Sequence, residues 1–254
     1  MKKRLRSIIE KALPGFLIAF LVLVWHVVTE LGLIKPFLLP SPTSVFWAFF
    51  NNFERLMQNA TTSLLESLLG LALALAVAVV LALAMERFNL VEKMVFPVLV
   101  ITQTIPVVAI APLLIMWLDT GIEPKVALIF IVCFFPITVG LLTGLKSAEP
   151  EAIRLLKSMG ANQFQILRHL KFPSALESFF SGIKIAVSYA IVGAIIAEWL
   201  GGESGLGVYM NAVRHSYAID KMFAVIILVI ILSLALLGCV SLIEKKMMPW
   251  RKFK

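Results

Sequence analysis

Stretches of about twenty residues without a charge recur along this 254-residue chain, and they constrain its fold more than any other feature. The runs 67–85, 94–118, 126–145 and 222–243 contain no Lys, Arg, Asp or Glu. A bilayer core about 30 Å thick is crossed by roughly 20 helical residues. Inside it every backbone N–H and C=O must find a partner within the structure, which a helix provides. Two further runs carry polar interruptions. The run 14–34 holds His26 and Glu30 toward its far end, and 179–200 holds Lys184 near its start and Glu198 near its end. The chain reads as an all-α membrane protein with about six transmembrane helices. Composition agrees, because 60% of residues are apolar and only 15% are charged, against about 25% charged in soluble domains.

Six spans place both termini on one side, and the cations say which. With the N-terminus in the cytoplasm, the inner segments hold Lys2, Lys3, Arg4, Arg6 and Lys11; Arg87 and Lys93; Lys146, Arg154, Lys157, Arg168, Lys171 and Lys184; and Lys245, Lys246, Arg251, Lys252 and Lys254. The outer segments keep Lys35, Arg55, Lys125, Arg214 and Lys221. Eighteen against five is a strong positive-inside bias, which predicts cytoplasmic N- and C-termini. The net charge of +8 arises at the edges of apolar runs, a pattern that fits the lipid bilayer and speaks against nucleic acid as a partner. The run 14–34 is longer than a signal-peptide core and no A-x-A-like site closes it, so it reads as a retained first helix. Cys133 and Cys239 fall inside apolar runs, offer no disulfide framework or zinc site, and read as small buried residues.

Two segments are too long to be plain turns. The outer stretch 35–62 begins with Pro36, Pro40 and Pro42 and continues with Val45, Phe46, Phe49, Phe50 and Phe53. It predicts a turn followed by an amphipathic helix at the interface. The inner segment 146–178 is the longest cytoplasmic connection. There Ala152, Leu155, Leu156 and Met159 recur at i, i+3, i+4 and i+7, one face of a short helix. Gly160 follows at a left-handed stop. Asn162 is placed to cap a second helix whose Phe164, Leu167 and Leu170 share a face until Pro173 ends it. Such a unit either lies in a groove of a soluble partner or folds back on its own helices or on headgroups, and pattern alone does not choose.

The spacing of Gly160-Ala161 and Pro173, with Leu170 between, resembles the cytoplasmic "EAA" loop of binding-protein-dependent ABC permeases. Leu39-Pro40-Ser41-Pro42, Ile105-Pro106 with Ala111-Pro112-Leu113, Phe134-Phe135-Pro136, and Ala197-Glu198 followed by Gly205-Leu206-Gly207 are similar to the nitrate/sulfonate/taurine branch of that family, which also serves thiamine-precursor pyrimidines. Together these motifs cover about residues 38–210. Two positions depart from the family pattern. Arg154 stands where a Glu is usual, with Leu155 and Leu156 at the Ala positions, and Glu66 stands where an Arg is expected. The resemblance implies one permease domain over residues 1–254, with 146–178 as its coupling loop. It also implies a two-fold pair of permease copies, a homodimer by this reading. Cytoplasmic ATP-binding cassette subunits would carry ATP and Mg, an external substrate-binding protein would deliver the solute, and this chain would bind no cofactor. No G-x-x-x-x-G-K-[ST] phosphate loop is present, because Leu145 occupies the second glycine position before Lys146 and Ser147. The chain is therefore expected not to be an enzyme.

Polar residues inside apolar runs are candidates for the translocation pathway. Gln103, with Thr104 and just ahead of Pro106 and Pro112, either lines the pathway or bonds a neighbouring helix. Glu198, next to Gly201, Gly202, Gly205 and Gly207, is either a gate residue beside a re-entrant turn or a side chain snorkelling to the outer headgroups. Glu66 reads as interfacial and His26 as a satisfied packing residue. Gly182, Ser188, Gly193 and Ala194 suit close helix packing, within one subunit or at a dimer interface. No cation stands mid-span, which speaks against an anion site there. His26, His169 and His215 lie too far apart for a shared metal. A self-contained secondary transporter or channel would show internal repeats and ion-coupling carboxylates, and no convincing repeat is visible. A membrane enzyme would cluster polar residues at one interface.

Overall fold

A computed structural model describes residues 2–250, with side chains from residue 13 onward. Arg251, Lys252 and Lys254, and the side chains of Lys2, Lys3, Arg4, Arg6 and Lys11, lie outside the described residues. The elements are α1 (Lys2–Glu30), α2 (Pro42–Asn51), α3 (Phe53–Arg87), α4 (Asn89–Thr104), α5 (Val107–Leu118), α6 (Glu123–Lys146) and α7 (Pro150–Ser158). They are followed by α8 (Gln163–Ile166), a π turn (Leu167–Lys171), α9 (Phe172–Gly201), α10 (Leu206–His215) and α11 (Ile219–Met247). Among the described residues, five helices are long and apolar enough to cross a membrane, and α4 with α5 makes a sixth crossing if that bent pair is one span.

The chain divides into two compact units, one built from the α1–α2 region with Tyr209–Leu228, the other from Gln58–Val208 and the chain from Val229 on. In the first, Trp25 Nε1 donates to the Pro40 carbonyl at 2.9 Å and its ring lies 5.7 Å from that of Phe223. Ser41 caps α2, accepting the Ser44 N–H at 3.2 Å, and Pro42 occupies the first turn, where its missing N–H costs nothing. The predicted amphipathic helix is α2. It buries Val45 and Ala48 and leaves Phe46, Trp47 and Phe50 exposed. His26 is not satisfied in the way expected, since its Nδ1 has no hydrogen bond and sits 4.0 Å from the Glu30 carboxylate.

In the second unit α6 and α9 form the central pair. Their backbones touch because glycine stands at the crossing. A Cβ on Gly182 would strike the Pro136 carbonyl, and one on Gly144 would come within 2.7 Å of the Ala175 backbone. Small residues let membrane helices approach to van der Waals contact. The packing expected of Gly182, Gly193 and Ala194 is thus made within this chain, whereas Ser188 is exposed and returns its hydroxyl to the Lys184 carbonyl. Ala74, Ala78 and Ala82, one face of α3, join the same core. Cys133 is buried there, but Cys239 is exposed, contrary to expectation, because the α11 face that bears it is not covered. Gly182→Ala is expected to cost about 1–3 kcal/mol, because the obstruction is backbone and cannot rotate away. A melting temperature in detergent equal to wild type would disprove this account of the crossing.

Lysine–glutamate pairs tie the flanking helices to that centre: Glu86 of α3 to Lys171, Glu92 of α4 to Lys146 of α6, and Glu244 of α11 to Lys184 of α9. The Lys146 pair is half exposed, so it contributes under about 1 kcal/mol. Lys184 was expected at the start of its span. It stands within α9, which begins at Phe172, and pairs with Glu244 of α11.

The run 94–118 does not form one straight helix. It breaks by 101° between Thr104 and Val107. Pro106 bars its predecessor from helical geometry, and Ile105 accordingly adopts φ −79° and ψ 125°. Pro173 does the opposite of what its type suggests. It does not end a helix, because residues 163–201 run on as one through the π turn, in which the Phe172 N–H reaches back five residues to the Leu167 carbonyl. Pro173 follows directly on that wider turn, so its missing N–H falls inside a continuous helix whose hydrogen-bond register has just shifted.

Candidate functional site

Three places in the second unit carry the residues singled out in the sequence. The first is the α7–α8 segment. Gly160 adopts φ +83°, its N–H donates to the Lys157 carbonyl at 3.0 Å, and the Ala161 N–H reaches the Leu156 carbonyl at 2.9 Å. This paired pattern is the Schellman stop, which demands a left-handed residue. Asn162 and Gln165 then exchange side-chain bonds with each other's backbone N–H at 2.9 and 2.7 Å, a reciprocal cap that starts α8. No residue of α7 is buried. Leu155, Met159 and Phe164 are 62%, 73% and 66% exposed, while Ala152, Leu156, Ala161 and Leu167 are half-buried. An apolar face is thus left open beside a capped stop.

The second is the turn between α9 and α10. Glu198 is only 2% exposed, so it does not snorkel. Its carboxylate accepts the Ser63 hydroxyl and the Gly207 N–H, both at 2.5 Å. Ser63 Oγ accepts the Leu206 N–H at 2.8 Å, and Asn59 Oδ1 accepts that of Gly205 at 3.0 Å. Three successive backbone donors are thereby pinned to α3 and to Glu198. Gly205, at φ +122°, leaves the space that the Glu198 carboxyl group fills. Glu66 is buried among side chains. At 2% exposure it pairs with Lys125 at 2.6 Å, and Lys125, expected in an outer loop, is itself only 7% exposed within the first turn of α6.

The third is a groove along the α6–α9 contact. One hollow of about 480 Å³ is lined by Gln103, by Thr143 of α6 and by Glu177, Ser178, Ser181 and Tyr189 of α9. A second hollow of about 200 Å³ is lined by Thr102, Ile105 and Val132 and shares Gln103 and Tyr189 with the first. Of the pathway candidates, Gln103 lines both hollows. Thr104 is exposed and returns its hydroxyl to Ile101 at 2.8 Å. Pro106 marks the helix break. Glu198 lines neither hollow. Sequence reasoning missed Tyr189 and Ser181, although Ser178, Ser181, Ile185 and Tyr189 recur at helical spacing within an apolar span, a signal that could have found them. Among the described residues no cluster of His, Cys, Asp and Glu could hold a metal ion.

Residues 70–249 match the family model described as binding-protein-dependent transport system inner membrane component. The chain is 34% identical to the formylaminopyrimidine transport permease protein ThiX of Halalkalibacterium halodurans, covering 94% of this chain and 96% of that one. It is also 34% identical to the riboflavin transport system permease protein RibX of Chloroflexus aurantiacus, covering 94% and 89%. A solved amino acid ABC transporter chain superposes with a TM-score of 0.66 at 12% identity, over 79% of this chain and 98% of that one, which speaks for the fold.

Proposed function

Since the chain belongs to the family of binding-protein-dependent transport system inner membrane components, and is thus a multi-pass permease subunit of an ABC importer, we propose that it moves a small polar solute inward with energy from ATP hydrolysed on separate subunits. The observation that carries this reading is the open apolar face of Leu155, Met159 and Phe164 beside the Gly160 stop. Cytoplasmic ATP-binding cassette subunits dock on the segment 146–178, with Ala152, Leu156, Ala161, Leu167 and Pro173 shaping its base. ATP and Mg stay on those subunits, and this chain binds no cofactor. The cation distribution supports cytoplasmic termini. A second copy pairs with this chain as a homodimer, and an external binding protein delivers the solute, either a thiamine-precursor pyrimidine or an anion of the sulfonate, taurine or nitrate type.

Mechanically, a push on α7 enters α8, and α8 is continuous with α9. Closure of the docked pair therefore tilts the helix that carries Ser178, Ser181 and Tyr189, changing the side to which the groove opens. Capture of the tagged chain from native membranes in mild detergent tests this. An ATPase subunit in equal amount is the expected result. Recovery of the chain alone, active in uptake without ATP, would replace this reading with a self-contained transporter.

A further inference from the structure

The open face of α7 bears charge beside its apolar side chains. From Ala152 to Leu176 the chain contains no Asp or Glu, yet Arg154, Lys157, Arg168 and Lys171 all fall in that stretch. Lys171 is paired with Glu86 of α3. Arg154, Lys157 and Arg168 are exposed, and among the described residues no acid stands within ion-pair distance of any of them. At about 100° per residue, Lys157, Arg154, Ser158, Glu151, Leu155 and Met159 follow one another around the open side of α7, whereas Ala152, Ile153 and Leu156 are half-buried. A groove that covers Leu155 and Met159 therefore takes the neighbouring Arg154 guanidinium out of water with them. Arg168 stands one turn beyond Phe164, so the second anchor also brings a cation. Burial of an unpaired guanidinium is strongly unfavourable, and a carboxylate meets its planar fork with two parallel bonds.

We propose that the groove receiving α7 belongs to an ATP-binding subunit and is rimmed with acid, with a carboxylate opposite Arg154 and others beside the pocket that takes Phe164. Anionic headgroups would meet the same cations, but they would also meet Glu149 and Glu151 at the start of this nine-residue helix. A protein groove sets each sign opposite its own counterpart. The family pattern carries the opposite charge at 154, so the match is particular to this chain. The inference rests on the importer reading, and its test separates the two.

The full chain with its ATPase subunit is captured from native membranes into nanodiscs of phosphatidylcholine alone, and the ATPase activity retained after washing is measured. Arg154→Glu is expected to lower it at least about tenfold, and Arg154→Gln by less. Lys93→Glu, which reverses an exposed cation on α4, should leave it unchanged. A carbodiimide should join Lys157 to a carboxylate of the ATPase subunit, located by mass spectrometry of the linked peptides. Changing that acid to Lys should restore docking to Lys157→Glu, a rescue that a misfolded chain could not show. Full docking of both reversed variants, or an equal loss with Lys93→Glu, would overturn the assignment alone and leave the importer reading standing. A loss that appears only after anionic lipid is added would give the cations to the bilayer instead. A wild-type chain captured with no ATPase subunit would overturn the importer reading and this assignment together.

Discussion

Lys125→Met is expected to lower the melting temperature of the purified chain by roughly 10 °C, the largest stability effect of any single change considered for this molecule. Lys125 is a buried cation 2.6 Å from a buried Glu66 carboxylate. Taking away the lysine leaves the buried Glu66 carboxylate with no cation beside it. Breaking a buried pair from one side costs about 3–5 kcal/mol, because the surviving charge cannot return to water. The neutral pair Lys125→Met with Glu66→Gln should recover more than half of the loss, since the amide carries no charge to solvate. A single change that leaves the melting curve in place, or a double change worse than the single, would show that the pair does not hold α3 to α6.

Gly160→Val is expected to remove the ATPase subunit from the complex, lowering co-purified ATPase at least about tenfold and uptake with it. The reason is conformational. Nothing lies within 4 Å of a Cβ built at this position, so space is not the obstacle. At φ +83° an L-residue pays about 1–2 kcal/mol, and a β-branched one more. The loop relieves that strain by abandoning the bonds to Lys157 and Leu156, which turns the Met159 face away from the Phe164 face. Gly160→Asn should retain docking, because Asn tolerates the left-handed region. The melting temperature of the permease should move little in both variants, since the segment is exposed. Valine docking as well as glycine would remove this turn from the coupling apparatus.

What could be read from the sequence followed the range over which each feature is determined. The stop at Gly160, the cap at Asn162 and the helix after Pro42 depend on residues within four positions, and all three stand as expected. The apolar runs announce spans because lipid imposes one length on each of them. Pairings over distance were not visible. Glu66 and Lys125 are 59 residues apart and looked like boundary charges, yet each makes the other's burial possible. Glu198 was recognised as anomalous, but the Ser63 hydroxyl that satisfies it lies 135 residues away. Prolines misled in both directions. Pro106 breaks a span that looked continuous, and Pro173 fails to break one that looked finished, because a change in hydrogen-bond register leaves no mark in composition. In the groove, Gln103 was legible as a polar residue in an apolar run, whereas Tyr189 passed for one more large span residue.

The π turn at Leu167–Lys171 fixes an angle as well as carrying the chain past a proline. A helix of 39 residues is about 58 Å long, and each residue added or removed turns everything beyond it by about 100° around the axis. The extra residue in this turn therefore sets the azimuth of Phe164 relative to Ser181 and Tyr189. A sequence that shed it would regain ideal α geometry and keep both surfaces intact, but would aim them in directions that no longer correspond. The irregular turn works as an indexing step, and the relative aim of the two surfaces resides in that one residue.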